Sequence, residues 1–273
     1  MQREFLNPFL LVKPPWGDFP LEADKDCIVI VDNKQIRIKE LKQRLSGEVA
    51  YVMGANQKSL NHLCEFLDVK QIDFYQLQAA DLSPICQVSR LKHLAIRCNT
   101  KVEAIAALSN LALSSLILED TPRLADLEPL GEFKSLSHLT YSGGQGRGNV
   151  ALTLEPLARI QGLKELVLTN LRIRSGGLEP LASCRDLKQL VISNQFSTEE
   201  FALLSVCLPS VECRMFQAWV PRLHQADGED VMVVGSKKPF LMSSKDSKRI
   251  ASYEKAFSDL QLKFISERGL SKN

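Results

Sequence analysis

The sequence predicts an α/β solenoid, in which stacked repeats form a concave parallel β-sheet and short helices or 3-10 turns line the convex side. One observation behind this prediction is a template with apolar residues at positions 1, 4, 10, 13 and 15, of which seven copies follow one another. The other is that the apolar positions 13 and 15 are two residues apart, so that in a β-strand both side chains point to one face and the residues on either side of them point to the other. Parallel strands are expected near the tenth template positions, which lie 21 to 27 residues apart at Val69, Leu91, Leu113, Leu136, Leu163, Leu187 and Leu208.

The unit that begins at Leu178 shows the template most clearly, with Leu187, Leu190 and Ile192 in its second half. Its Leu-x-x-Leu-x-Leu register, repeated over residues 60–213, resembles the leucine-rich repeat family, in the short-repeat bacterial or cytosolic type. The resemblance implies a horseshoe with N- and C-terminal caps. The asparagine that this family places after each strand is present only as Asn99, and the other units have Thr121, Gly144, Leu171 and Gln195 there.

Residues 1–47 precede the repeats and are expected to form an N-terminal cap. The apolar run 27–31 and the segment 35–39, in which isoleucines alternate with polar residues, flank a turn that contains Asp32 and Asn33, a pattern that predicts a β-hairpin. The hairpin and the proline-rich segment at Trp16 would cover the open edge of the parallel sheet.

Residues 48–215 are expected to form the repeats. Residues 49–53 are interpreted as a degenerate first strand, and residues 58–67 have the apolar spacing of a helix. Three units contain Leu-x-Pro-Leu, starting at Leu127, Leu154 and Leu178. Proline is tolerated in the first turn of a helix, so these positions predict short helical turns on the convex side.

Residues 142–149 lengthen the unit at Leu136 with the glycine-rich segment Ser-Gly-Gly-Gln-Gly-Arg-Gly-Asn. A phosphate-binding loop would be followed by Lys-Ser or Lys-Thr, and neither follows here. We interpret the segment as a flexible insertion at the end of a strand. It either reaches toward a partner, with Arg147 as its charged contact, or is an insertion that the fold tolerates and that has no function.

Residues 216–273 lack the repeat pattern and are expected to form a C-terminal cap. An apolar lid is expected from residues 216–223, followed by two short strands at 231–234 and 239–242. A terminal helix follows, with Ser243 and Asp246 as its capping pair. This end of the chain has a basic patch, which is interpreted as a solvated surface or as a contact for an acidic partner and comprises Lys237, Lys238, Lys245, Lys248 and Arg249.

The composition argues against several classes of partner. A net charge of +2 and a pI of about 8.1 are too balanced for a nucleic-acid-binding protein that relies on bulk charge. No apolar run approaches the length of a membrane span, and the N-terminus does not resemble a secretory signal. The seven cysteines are scattered and contain no Cys-x-x-Cys, so we expect free thiols and a cytoplasmic protein.

No catalytic motif has the required spacing, so we expect a protein that is not an enzyme and that needs neither a cofactor nor a metal ion. The histidines His62 and His93 are isolated from any second pair of zinc ligands. One loop of the predicted C-terminal cap contains the polar residues His224, Asp227, Glu229 and Asp230, which could serve hydrolysis or metal binding. The loop is more readily explained as a turn with solvated carboxylates.

The concave face predicted from strand alternation has mixed charge, which suits a polar protein partner. The residues expected to contact that partner are Tyr75, Arg97, Glu119, His138, Glu165 and Arg214. The leading hypothesis is a protein-binding module similar, by analogy of fold, to toxin-neutralising immunity proteins, so that the partner would be a toxin. The alternatives are a signalling adaptor or a regulatory subunit of an enzyme, and a hydrolase or metal site in the C-terminal cap.

Overall fold

The computed structural model describes residues 27–144, 146, 148–226 and 228–269, with backbone only over residues 223–226. The strands in these ranges are β1 Ile28–Val31, β2 Lys34–Arg37, β3 Leu45–Ser46, β4 Val49–Met53, β5 Leu67–Asp68, β6 Gln71–Tyr75, β7 His93–Arg97, β8 Ser115–Glu119, β9 His138–Ser142, β10 Asn149–Ala151, β11 Glu165–Thr169, β12 Leu171–Ile173, β13 Gln189–Ile192, β14 Trp219–Ala226, β15 Glu229–Val233 and β16 Phe240–Leu241. The helices are α1 Gln57–Phe66, α2 Thr198–Cys207 and α3 Ser247–Arg268.

One nine-stranded sheet dominates the structure, in the order β13-β11-β9-β8-β7-β6-β4-β1-β2. Its seven strands from β4 to β13 are parallel and pair without a shift in register, so that equivalent residues of every repeat lie side by side. Six strands of this sheet, β6, β7, β8, β9, β11 and β13, each begin two residues after their tenth template position. The predicted strand positions are therefore confirmed for these six units.

The template residues form one continuous core behind this sheet. Leu166 and Leu168 of β11 are 1% and 0% exposed, and the corresponding residues of the neighbouring strands are also buried. Alternate strand residues face away from this core, as the period of two requires. The fold is thus the predicted α/β leucine-rich repeat solenoid.

Short helical turns connect the strands along the side opposite the exposed sheet face. They are 3-10 helices rather than α-helices in the middle repeats, and the three predicted prolines lie in their first turns. The turns are Ile38–Glu40, Ser83–Gln87, Ala106–Asn110, Glu128–Glu132, Glu155–Arg159 and Glu179–Ser183. The α-helices α1 and α2 replace these turns near the two ends of the array, and α1 confirms the helix expected at residues 58–67.

The chain leaves several strands through a residue in the left-handed region, with φ of 55° at Gln76, 55° at Cys98 and 52° at Asp120. In each case the amide of this residue donates to the carbonyl of the last residue in the next strand; the Gln76 amide, for example, lies 2.9 Å from the Arg97 oxygen. The regained hydrogen bond offsets the steric cost of this conformation for a residue other than glycine.

Two buried asparagines hold the turns after the strands. Asn99 is 0% exposed, donates to the Ala79 carbonyl at 2.9 Å and accepts the amide of Val102 at 2.9 Å. Asn149, also 0% exposed, donates to the Ser142 carbonyl at 3.0 Å and accepts the Thr121 amide at 3.1 Å. Asn149 therefore makes the hydrogen bonds expected of the asparagine that follows each strand in this family, although the glycine-rich insertion moves it away from the expected position in the sequence.

The glycine-rich insertion is closed at its base by close backbone contacts. A Cβ atom at Gly143 would lie 2.3 Å from the carbonyl oxygen of Asn170, and one at Gly148 would lie 2.7 Å from the same atom. Only glycine fits this approach. The predicted partner contact, Arg147, lies outside the described residues.

The predicted hairpin is confirmed, because β1 and β2 pair in antiparallel fashion and β1 also pairs with β4. The interpretation of residues 49–53 as a first repeat strand is confirmed as well, since β4 is parallel to β6. The segment at Trp16, assigned to the same cap, lies outside the described residues.

The seventh predicted strand, near Leu208, does not form; Glu212 makes only an isolated parallel bridge with Gln189. In the preceding repeats, the residue after the tenth template position donates its amide to the previous unit, as Lys188 does to Lys164 at 2.8 Å. Pro209 occupies this place and has no N–H. The Lys188 carbonyl accepts the Glu212 amide instead, at 2.8 Å.

Beyond the array, β14, β15 and β16 form a small antiparallel sheet. The two predicted short strands correspond to β15 and β16, whereas β14 was expected only as an apolar lid. The capping pair predicted for the terminal helix is wrong. Ser243 donates to Asp230 from both its amide and its hydroxyl, at 2.7 and 2.5 Å, and the Asp246 side chain accepts no amide of α3.

The start of α2 offers a test of local stability. Ser197 accepts the Glu200 amide at 3.2 Å while the Glu200 carboxylate accepts the Ser197 amide at 2.9 Å, a complete capping box. Ser197→Ala should lower the free energy of unfolding by about 1 kcal/mol in urea denaturation. The control is Glu199→Ala, at an exposed position of the same turn, which should cost less than about 0.5 kcal/mol. Equal losses for the two variants would contradict the assignment.

Candidate functional site

The exposed face of the parallel sheet is a continuous surface to which every strand of the array contributes. We call it the concave face and divide it into three rows that run across the strands. The first row is Gln71, His93, Ser115, His138, Glu165 and Gln189. The middle row is Asp73, Ala95, Ile117, Thr140, Val167 and Val191. The last row is Tyr75, Arg97, Glu119, Ser142, Thr169 and, just after β13, Ser193.

An ion-pair cluster joins the middle and last rows across β6, β7 and β8. The Arg97 guanidinium donates through Nε to both carboxylate oxygens of Asp73, at 3.3 and 3.2 Å, and through Nη1 to Glu119. The Asp73 side chain is only 4% exposed and the Arg97 side chain 17%, whereas that of Glu119 is 41% exposed. Arg97 is thus committed to neighbours within the chain, and Glu119 is the member that a partner can reach.

The cluster perturbs its own members. Burial raises the pKa of Asp73, and the nearby Glu119 adds to this rise, while Arg97 opposes it. Burial alone would lower the pKa of Arg97, but the charges of Asp73 and Glu119 outweigh it and raise that pKa. The carboxyl group of Asp73 therefore depends on Arg97 to remain ionised.

A second polar group occupies the first row on β9 and β11. His138 Nε2 lies 3.4 Å from Glu165 Oε1, and His138 Nδ1 lies 2.8 Å from the Ser137 hydroxyl. Burial lowers the pKa of His93, in the same row, and His138 and Lys92 lower it further. A Ser–His–Glu contact alone does not make a nucleophile, because catalysis also needs a group that stabilises the oxyanion. We interpret the group as a polar patch.

The middle row changes character along the sheet. Ala95 and Ile117 are 0% and 1% exposed and form a small apolar cluster separate from the main core. Val167 and Val191, toward the C-terminal end, are half-buried. The half-buried apolar side chains of the middle row are thus on β11 and β13.

The six predicted contact residues do not all lie together. Tyr75, Arg97 and Glu119 are neighbours in the last row, and His138 and Glu165 form the pair in the first row. Arg214 follows the missing seventh strand, where its guanidinium donates to the Pro221 carbonyl. It is therefore on no strand of the nine-stranded sheet. The ion-pair cluster was not expected from the sequence, although Asp73, Arg97 and Glu119 occupy outward positions of three successive units.

The polar loop proposed as an alternative hydrolytic or metal site is partly accounted for. Asp230 accepts two hydrogen bonds from Ser243, which lower the pKa of Asp230, and Glu229 pairs with Arg222 at 2.8 Å. The side chain of His224 and the whole of Asp227 lie outside the described residues. Over the described ranges, no group of three or more His, Cys, Asp or Glu side chains is arranged to hold a metal ion.

The seven cysteines are free thiols, as predicted. Burial raises the pKa of Cys64 and of Cys213 to about 12, and that of Cys184 to about 11. These thiols are therefore poor nucleophiles at neutral pH. None of the helices in the described part of the chain is long and apolar enough to cross a membrane.

Comparisons with known proteins give distant likenesses of shape. No family model matches the sequence, and no curated protein does. Among solved structures, internalin C2 of Listeria monocytogenes matches with 19% identity and a TM-score of 0.47, covering 66% of this chain and 74% of that one. The Listeria monocytogenes internalin inlF has 20% identity and a TM-score of 0.35, covering 66% and 62%. The plant peptide hormone receptor RGFR1, in complex with RGF2, has 17% identity and a TM-score of 0.37, covering 59% and 30%.

The class of the protein follows from its own geometry. Parallel strands in register, a buried apolar residue, most often leucine, at the template positions and 3-10 turns behind the sheet together define a leucine-rich repeat solenoid.

Proposed function

We propose that the chain is a non-catalytic, protein-binding module whose concave face holds one protein partner. The observation that carries this proposal is the composition of the face on β9, β11 and β13. Val167 and Val191 lie half-buried in its middle row, and polar side chains such as Glu165 and Gln189 flank them along the strands. An apolar centre within a polar rim is the usual anatomy of a protein interface.

The charged residues of the face would contribute more to the specificity for the partner than to the affinity. Glu119 and the His138–Glu165 pair are accessible, and charges at a rim mainly affect the rate and specificity of association. Tyr75 would add contact area at the other side of the ion-pair cluster. Arg97 would act indirectly, because it fixes the position of Glu119.

The first test is a substitution at the apolar centre. Val191→Glu should weaken partner binding at least tenfold, about 1.4 kcal/mol, because it places a charge where apolar contact is expected. The melting temperature should change little, since Val191 faces away from the core. The measurement is a calorimetric titration against the partner recovered by affinity purification from the native host.

The matched control is Arg185→Glu, at an exposed position of the convex side. It should leave the affinity unchanged. The proposal fails if Arg185→Glu loses binding while Val191→Glu retains it.

We propose further that the module acts in the cytoplasm and that its partner is a toxin, which the chain neutralises by occupying its surface. The support is the analogy of fold with immunity proteins. The test is co-expression with the reading frame next to the gene: rescue of growth from a toxic neighbour supports the proposal, and a harmless neighbour argues against it.

A further inference from the structure

A cleft opens between two successive units near the C-terminal end of the array. Its volume is about 630 Å³, and the residues that line it come from the segments 182–188 and 207–211, with Arg268 of α3 as a further contribution. None of these residues belongs to the three rows of the concave face. Pockets that bind small molecules have volumes of about 300 to 1,000 Å³. The cleft is therefore large enough for a small organic ligand.

The cleft lies where the seventh strand is missing. Residues 207–211 follow α2 and correspond to the segment that leads into a strand in the earlier units. Pro209 lines the cleft, and the amide that it lacks is the one that would hold this segment against Lys188. The irregularity that removes the strand thus leaves space between these two units.

The floor of the cleft is apolar. Three of the side chains that line it are buried: Leu187 is 1% exposed, Leu208 is 5% exposed and Val211 is 8% exposed. All three belong to the main core, so their positions are fixed by packing before any ligand arrives. An apolar group in the cleft would therefore meet a preformed surface.

The charged side chains that line the cleft are all cationic, namely Arg185, Lys188 and Arg268. Arg268 donates to Glu179, so its charge is partly balanced. Arg185 and Lys188 are exposed, and within the described part of the chain neither side chain makes an ion pair or a hydrogen bond. Two cations beside an apolar floor, with no carboxylate among the described residues that line it, favour an anion.

We propose that this cleft binds a small amphiphilic anion, which carries a carboxylate or phosphate group on an apolar body. Arg185 and Lys188 contact the anionic group, because guanidinium and ammonium groups donate charge-assisted hydrogen bonds to both kinds of oxygen. The apolar body covers Leu187, Leu208 and Val211. The inference goes beyond the proposed function, since it concerns another surface. The tests below involve no protein partner, so either proposal can fail while the other stands.

The first test uses anilinonaphthalene sulfonate, a fluorescent amphiphilic anion, in a titration of the full chain. Arg185→Gln combined with Lys188→Gln should raise the dissociation constant about fivefold or more, because both charged contacts are lost. The matched control is Arg172→Gln combined with Arg174→Gln, which removes the same charge from exposed positions elsewhere and should leave the constant unchanged. Equal weakening in the two double variants, or weakening in neither, would overturn the proposal.

Competition against the bound fluorophore identifies the anionic group. Displacement by octanoate supports a carboxylate ligand, and displacement by phenyl phosphate supports a phosphate ester. The opposing competitor is dodecyltrimethylammonium, because α2 ends at Cys207 and the C-terminal carbonyl groups of a helix favour cations. Displacement by this cation in place of both anions would refute the proposal.

A second measurement needs no substitution and covers the case in which a variant does not fold. Cys207 lines the cleft and is half-buried, as is Cys98 on another repeat. Saturating anilinonaphthalene sulfonate should slow the reaction of Cys207 with methyl methanethiosulfonate about threefold or more, while Cys98 reacts at its original rate. The rates are read by peptide mass spectrometry. An unchanged rate at Cys207, or equal slowing of both thiols, would contradict binding in the cleft.

Discussion

Leu166→Ala should lower the free energy of unfolding by about 2 to 5 kcal/mol, the usual loss for a buried leucine whose surroundings collapse only partly. Leu166 is 1% exposed, and in-register pairing places it between Leu139 and Leu190, which are each 2% exposed. The neighbours are held by their own strands and cannot fill the cavity. Urea denaturation should show a lower midpoint with an unchanged slope.

The control for Leu166→Ala is Glu165→Ala, one residue earlier on the same strand. Glu165 faces away from the core and is paired with His138 at 3.4 Å with its side chain 25% exposed, so its removal should cost less than about 1 kcal/mol. Equal midpoints for wild type and Leu166→Ala would show that the core assignment is wrong.

Arg97→Ala should be comparably damaging, although Arg97 lies on the face away from the core. Its removal leaves Asp73 buried without a cation and close to Glu119, and breaking a buried pair in this way costs about 3 kcal/mol or more. The matched control is Arg123→Ala, which removes a pair with Glu103 in which both side chains are more than 60% exposed, and should cost less than about 1 kcal/mol.

The loss caused by Arg97→Ala should depend on pH in a defined direction. The pKa of Asp73 is already raised by burial, and it should rise further once Arg97 is gone. A carboxyl group whose pKa is raised in the folded state destabilises the fold only when it is ionised. The loss of stability is therefore absent below the pKa of the unfolded state and develops as the pH rises through the pKa of the folded state. Denaturation at pH 4 should therefore show a smaller difference from wild type than denaturation at pH 7.

A second substitution isolates the cause. Arg97→Ala combined with Asp73→Asn should recover about half or more of the lost stability at pH 7, because the buried group is then neutral. No recovery, together with a loss independent of pH, would contradict the role assigned to Asp73.

The sequence predicted the array well because its core follows a simple period. The apolar residues at template positions 13 and 15 face inward from six successive strands of the large sheet, so their spacing alone locates β6, β7, β8, β9, β11 and β13. Pro209 is also evident in the sequence. Its effect, however, is the loss of the hydrogen bond that another residue at this place would donate to Lys188 of the neighbouring repeat, and the apolar period gives no information about such bonds.

The candidate site was less predictable, because it depends on contacts between rows. Alternation placed Tyr75, Arg97 and Glu119 on the right face, but only the register of three strands shows that Arg97 is bound by Asp73. Asn149 was missed because the insertion before it changes the count of residues between the strand and the ladder position. Burial on the outward face, as at Ile117, has no signal in the local pattern.

The pairing of the strands without a shift in register also affects how the number of repeats can change during evolution. Each repeat meets its neighbours through equivalent hydrogen bonds and equivalent apolar side chains. Duplication or loss of one whole unit in the middle of the gene would therefore recreate the same junction that it interrupts. Repeat number can drift while both ends stay intact, and the width of the surface offered to a partner would drift with it.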